Sequence, residues 1–305
     1  MDHLHTGREK ANTGRSVGMF VSSMLIFGTI GVLRRYIPLS SALLAFTRGI
    51  LGGLFLFGFV KIRKKNKAAK LPRRVLIRLL ITGAMIGVNW ILLFEAYNHT
   101  TVAVATLCYY MEPTIVVLLS PFVFRERLTV KKSVCAALSI LGMVLVSGVI
   151  GESGVQSGDF RGILLGLGAA LFYSAVVIMN KKIPEIDAFQ RTTVLLLSAG
   201  AVMLPYLLLT NGFNVKGVSP LSVLLLLVLG IVHTGIAYTM YFGSMDGMKV
   251  QTIAVLSYID PVSALFLSAL FLKEPLSILN IVGAVMIIGS AMVSEIKISD
   301  KEITE

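Results

Sequence analysis

Residues 110–113 read Tyr110-Met111-Glu112-Pro113, and residues 258–261 read Tyr258-Ile259-Asp260-Pro261. The first is followed by Leu119-Ser120 and Arg125-Glu126-Arg127-Leu128-Thr129, the second by Leu267-Ser268 and Lys273-Glu274-Pro275-Leu276-Ser277. The two copies are 148 residues apart (260 − 112), and the register holds without a gap from Gly87 and Gly235 to Ile140 and Ile288. Each sets one acid before a proline in the middle of a long apolar run. A repeated acid in a lipid-crossing segment points to function, because an ionisable group there is costly to keep.

The flanking sequence fixes the class. The chain has 305 residues, 55% hydrophobic and 14% charged, with a mean hydropathy of +0.83. That is not the composition of a soluble domain. Apolar stretches near the roughly 20 residues needed to cross a bilayer recur along it. They lie at 16–34, 40–60, 75–96, 101–124, 130–150, 161–180, 190–210, 221–242, 249–272 and 277–294. The reading is an all-α polytopic membrane protein with ten transmembrane helices and no folded extramembrane domain. The polar leader, 1–15, runs into a spanning helix and is not read as a cleaved signal.

The net charge of +12 is explained by topology. With the N-terminus inside, cytoplasmic segments hold about 22 of the 28 Lys and Arg by the positive-inside count. The stretch KIRKKNKAAKLPRR at 61–74, with Arg78, is the densest part. Such a loop also favours contact with anionic lipid headgroups. No nucleic-acid recognition motif accompanies the charge, so no nucleic-acid partner is expected. Cys108 and Cys135 both fall in spans without a CxxC or nearby histidine, and are read as small packing residues.

Five helices per half is an odd number. The halves 16–150 and 161–294 therefore enter the membrane from opposite sides, between a cytoplasmic tail at 1–15 and another at 295–305. Such inverted repeats are found in secondary transporters, with substrate near the midplane at the repeat interface. The first helices match less closely, but Ile37-Pro38 aligns with Ile183-Pro184, pairing Phe27 with Tyr173 and Arg34 with Asn180.

Three segments together, Ala96-Tyr97-Asn98-His99-Thr100-Thr101-Val102-Ala103, Met111-Glu112-Pro113 and Arg125-Glu126-Arg127-Leu128-Thr129, with their second copy, resemble the EamA branch of the drug/metabolite transporter superfamily. The likeness covers essentially the whole chain. It implies cytoplasmic termini, a central cavity formed by helices 1, 3, 4, 6, 8 and 9, and peripheral helices 5 and 10. It says little about substrate and leans towards export.

Counting residues places the acids. Glu112 and Asp260 each lie eleven residues into their spans (112 − 101 and 260 − 249), counted from opposite faces. Both come out roughly 17 Å deep, near the centre of a ~30 Å core. Each following proline deprives a carbonyl, that of Tyr109 or Ser257, of its usual donor. An acid, a freed carbonyl and a bend could bind a cation or carry a proton; a plain helix kink explains the pair as well.

Helical spacing extends each face. Ala105, Cys108, Tyr109 and Glu112 share one stripe, and Ile253, Ser257 and Asp260 another. Tyr173, Val177 and Asn180 line up opposite Phe20, Ser23, Phe27 and Gly31. His233, Ala237 and Tyr241 share a stripe, with Thr234 and Tyr238 beside it, and Asn89 with Trp90 occupies the matching place in the first half. Tyr110 and Tyr258 point about 200° from their own acids and are expected to pack on another helix. Arg48 is read as a structural anchor, Glu95 as an interfacial acid, and Glu126 and Glu274 as turn-fixing residues. The pairs Gly49/Gly53, Gly83/Gly87 and Gly162/Gly166 have the spacing that lets helices approach closely.

The chain has no GxxxxGK[ST] loop, HExxH or GxSxG, so neither ATP hydrolysis nor another enzymatic activity is expected. No cofactor or metal is expected either. The reading is a secondary active transporter in the plasma membrane, most simply bacterial, exporting small metabolites by alternating access. Amino acids come first as substrates, organic cations or drugs second, and nucleotide sugars or phosphate esters well behind. A proton is the candidate coupling ion, a monomer is compatible with the sequence, and a membrane sensor or scaffold is the competing class. The candidate contacts are Glu112, Asp260, Tyr109, Ser257, Asn89, Trp90, Tyr173, Asn180, His233, Tyr238, Tyr241 and Phe27.

Overall fold

In the computed structural model, residues 2–63, 71–100, 102–125, 128–146, 160–210, 212–273 and 277–295 are described. Among them every regular element is helical and there is no strand. In chain order these are α1 (Asp2–Gly28), α2 (Ile30–Arg34), α3 (Ser41–Arg63), α4 (Arg73–His99), α5 (Val102–Tyr109), α6 (Glu112–Phe124) and α7 (Val130–Val146). The second half has α8 (Phe160–Lys182), α9 (Ala188–Leu209), α10 (Pro220–Val228), a π-helical segment Leu229–Ile236, α11 (Ala237–Ser244), α12 (Val250–Ser257), α13 (Ile259–Leu272) and α14 (Ile278–Glu295). Glu126 and Glu274 lie outside the described residues.

Among the described residues eight helical stretches are long and apolar enough to cross a membrane, against the ten expected. The expected fifth and tenth spans are not among these eight. α7 is described for 17 residues, and α14 has only Ile278–Ser290 as a shorter apolar helix. These two pack against each other, joined by a 2.7 Å hydrogen bond between Ser139 and Ser290. The long helices carry large apolar side chains outward, among them Phe122 at 84% and Leu209 at 85% exposure. A surface of that kind is matched by lipid rather than water.

Local sequence sets where helices start and stop. Asp187 caps α9 by accepting from the Gln190 amide at 3.0 Å, and Ser219 caps α10 from the Ser222 amide at 3.1 Å with Pro220 at the first position. α6 and α13 end at left-handed residues, Arg125 (φ 55°) and Lys273 (φ 57°), again 148 residues apart (273 − 125). A non-glycine residue seldom adopts that conformation. Its recurrence at equivalent positions shows that the repeat extends to backbone geometry.

Helix packing uses the glycine pairs. A Cβ on Gly87 would meet the Ala199 carbonyl at 2.7 Å, and one on Gly83 the Leu195 carbonyl at 2.5 Å, so α4 lies directly on α9. Gly53 faces Leu197 of α9, Gly49 the Trp90 ring, Gly162 Thr100, and Gly166 Cys108. Where lipid is as apolar as the side chains, close contact of this kind is what holds helices together. Gly87→Ala is expected to cost about 1–3 kcal/mol through overpacking. Gly58→Ala, where a Cβ would meet nothing within 4 Å, should leave the melting temperature unchanged. Equal melting curves for the two variants would refute this account of the α4–α9 contact.

Candidate functional site

The acid–proline segments interrupt their helices at a short turn. α5 stops at Tyr109 and α6 begins at Glu112; α12 stops at Ser257 and α13 begins at Ile259. Each acid therefore occupies the first turn of a new helix, where the unpaired amides favour negative charge. The breaks are tied to each other. The Tyr258 hydroxyl donates to the Tyr110 carbonyl at 3.1 Å and lies 3.1 Å from the Thr114 hydroxyl. The Tyr110 hydroxyl donates to the Asp260 carboxylate at 3.3 Å.

Around these breaks is a cavity of about 490 Å³. α1 and α2 contribute Phe27, Gly31 and Arg34; α3 contributes Ser41, Ala45 and Arg48; α4 contributes Trp90, Phe94 and Tyr97. Tyr109, Tyr110 and Glu112 line it from the first break, Ser257 and Asp260 from the second, with Tyr173 of α8 and Tyr238 and Tyr241 of α11. Gly31 and Arg34 are exposed and mark its mouth. Aromatic rings pack at a tilt along the wall: the centroids of Phe27 and Tyr238 are 5.0 Å apart, and those of Tyr109 and Tyr173 5.9 Å. The second span, α3, joins the six helices that the family resemblance implied.

Glu112 is 5% exposed, and its carboxyl has no hydrogen-bond partner among the described residues. Its backbone carbonyl, by contrast, accepts from Ser174 at 3.1 Å. Asp260 has the Tyr110 hydroxyl on its carboxylate and Ser263 on its carbonyl. Both acids thus reach one cavity from the two copies of the repeat.

Of the candidate contacts, Phe27, Trp90, Tyr109, Glu112, Tyr173, Tyr238, Tyr241, Ser257 and Asp260 line the cavity, whereas Asn89, Asn180 and His233 do not. Asn89 is fully buried and donates to the Ala169 carbonyl at 2.6 Å, tying α4 to α8. Asn180 donates back to Val176 in its own helix. His233 lies in the π segment, 2.6 Å from the Thr29 hydroxyl at the α1–α2 break and 3.3 Å from the Val228 carbonyl. Arg34, Arg48, Tyr97, Thr106 and Tyr110 line the wall but are absent from the candidate set. For Arg48 a signal existed: a guanidinium eight residues into a span.

Polar contacts tie the helix ends beyond the acids, at the end opposite the mouth. Lys181 donates to the carbonyls of Met245 (2.7 Å), Asp246 (3.2 Å) and Met248. Arg191, fully buried, pairs with Asp246 at 3.0 Å and donates to the Phe242 carbonyl at 3.1 Å. Gln251 bridges to Ser120 at 2.7 Å. Toward the mouth, Glu95 is engaged by the Tyr206 hydroxyl and lies 4.0 Å from His99, while the Arg34 guanidinium donates to Ser41. Among the described residues no three His, Cys, Asp or Glu side chains are grouped as a metal site.

A family model described as the EamA-like transporter family matches residues 15–148 and, separately, residues 160–295. The chain belongs to the EamA-like family. It is 30% identical over 268 residues to an uncharacterized transporter, YxxF, of Bacillus subtilis (strain 168), covering 88% of this chain and 85% of the relative. It is 27% identical to an uncharacterized transporter of Archaeoglobus fulgidus, over 90% and 94% of the two chains. The protein PecM of Dickeya dadantii (strain 3937) is also 27% identical, over 87% and 86%. A solved crystal structure sharing 22% identity has the same fold, with a TM-score of 0.77 over 91% of this chain and 97% of the other. The EamA-like repeats, the apolar spans and these relatives make the chain a multi-pass membrane transporter with a small-molecule substrate.

Proposed function

We propose that the chain is a secondary active exporter of small metabolites, amino acids first, that works by alternating access and uses Glu112 and Asp260 to carry protons. The observation behind this reading is the Glu112 carboxyl, on a cavity wall with no protein hydrogen-bond partner among the described residues. A structural acid in a span is normally satisfied by a neighbour. One left open to a cavity is available to a proton or to a substrate ammonium. The volume of about 490 Å³ is in the range of small-molecule sites.

With the N-terminus inside the plasma membrane, as the charge distribution favours, the mouth at Arg34 faces away from the cytoplasm. The Lys181 and Arg191–Asp246 contacts then close the cytoplasmic end. Exchanging the open and closed ends between the two halves gives the cycle, and a monomer contains all the parts. The rings of Trp90, Tyr173, Tyr238 and Tyr241 beside two acids also suit an organic cation through cation–π contact.

Purified protein in liposomes, under an imposed pH gradient, should show saturable flux of at least one member of a panel of amino acids and quaternary ammonium compounds. Flux should collapse when the gradient is dissipated. Neither flux nor a ligand-induced shift in melting temperature across the panel would overturn the exporter reading in favour of a sensor or scaffold.

A further inference from the structure

We infer that Arg48 is the carboxylate anchor of the central cavity, which makes the cavity a two-ended site for a zwitterion carrying both amine and carboxylate. The inference rests on the transport reading above and adds the second recognition group.

Three observations carry it. Arg48 lines the cavity from α3, a helix outside the six that the family resemblance implied. Its Nε atom is enclosed by protein and has no hydrogen-bond partner, and among the described residues the guanidinium forms no ion pair with Glu112 or Asp260. Its plane is nevertheless held. The guanidinium carbon lies 5.5 Å from the centroid of the Trp90 ring, and that ring lies against Gly49, where a Cβ would meet it at 3.2 Å.

A guanidinium inside a membrane span is normally paired with an acid or with carbonyls, since an uncompensated charge there is costly. Two acids share this cavity and neither closes on it. The Trp90 face orients the fork and the Tyr238 hydroxyl takes up part of its donor edge; no carboxylate of the protein does, which leaves the rest to something that enters. A carboxylate is the complement, because its two oxygens accept a guanidinium's parallel N–H bonds. Glu112 and Asp260 on the same cavity supply the partner for an ammonium group. A purely cationic substrate would leave Arg48 uncompensated, and a purely anionic one would face two acids. Arg34, at the mouth, is exposed and committed to Ser41, so the cation inside the cavity is that of Arg48.

The test measures binding to the full-length purified protein. The standard amino acids are screened, and each that binds is compared with its decarboxylated amine and its deaminated acid. Wild type should bind the amino acid more tightly than either truncated analogue, by about tenfold or more. Arg48→Gln should bring amino-acid affinity down to that of the amine or below, with no matching loss of amine affinity. Arg48→Lys, which keeps the charge but loses the fork, should fall between. Melting without ligand checks that each variant is folded.

Undiminished amino-acid binding by Arg48→Gln overturns the inference, as does an equal loss for amine and amino acid. Transport of a quaternary ammonium without binding of any amino acid overturns it and leaves the exporter reading standing. Absence of any transport removes both.

Discussion

Glu112→Gln is expected to give a folded protein whose gradient-driven flux has fallen by about 100-fold or more, the contribution of a positioned proton-transfer group. Glutamine has nearly the shape of glutamate but cannot release a proton in the accessible range. Because the native carboxyl has no protein hydrogen-bond partner among the described residues, the amide forfeits no contact, and the melting temperature should hold. Substrate counterflow, which needs no net proton movement, should survive better than uphill transport. Asp260→Asn is the milder variant for structure, since the amide oxygen can still accept from Tyr110, and should also impair coupling. Full coupled transport in both variants would reduce the acid–proline segments to kinks.

The second large effect is on the closed end. Asp246→Leu strands Arg191, fully buried and otherwise held by the carbonyls of Phe242 and Pro184. Breaking a fully buried pair from one side costs about 3–5 kcal/mol; with Asp246 24% exposed the cost falls somewhat below that, and the melting temperature should still drop clearly. Adding Arg191→Leu should recover much of the loss, because the cost is that of an orphaned charge. The Lys181 contacts are to backbone carbonyls and survive both changes. Loosening this end should also expose residues beneath it. With Cys108 and Cys135 replaced, Gln251→Cys, at a site 1% exposed, should react faster with a thiol reagent from the Asp246 side once Asp246→Leu is added. Unchanged melting and unchanged labelling would show that the pair closes nothing.

The helical class was legible in the sequence because membrane spans depend on length and apolarity, which are additive along the chain. The level of the two acids relative to each other was countable too, since rise per residue is a constant. Counting alone brought Glu112 and Asp260 to a common level, and the structure has them on one cavity. The fifth expected span, 130–150, ends in residues 147–150, which lie outside the described residues, and the tenth, 277–294, has a described apolar helix only over Ile278–Ser290.

Contacts across helices were the part that a helical wheel could not supply. Tyr110 does pack on another helix, and the acid that it meets belongs to the other repeat. Arg48 stood out as a charge in a span, yet only the Trp90 ring and the unpaired Nε distinguish an aimed group from an anchor. His233 and Tyr241 were placed on one stripe by counting 100° per residue. Within Leu229–Ile236 the bonds run five residues back instead, as the Thr234 hydroxyl to Leu229 and His233 to Val228 also do. The stripe therefore parts, with Tyr241 on the cavity and His233 against Thr29.

That π segment has a further consequence. Its counterpart in the first half, 148 residues earlier, falls within α4, which is unbroken from Arg73 to His99. If the two halves were identical, the inward-facing and outward-facing forms would be one structure seen from opposite sides, and equal in energy. A wound-down turn in one half and a regular helix in the other removes that degeneracy. The proposed cycle then runs between unequal stations, and the empty carrier has a preferred side on which to wait.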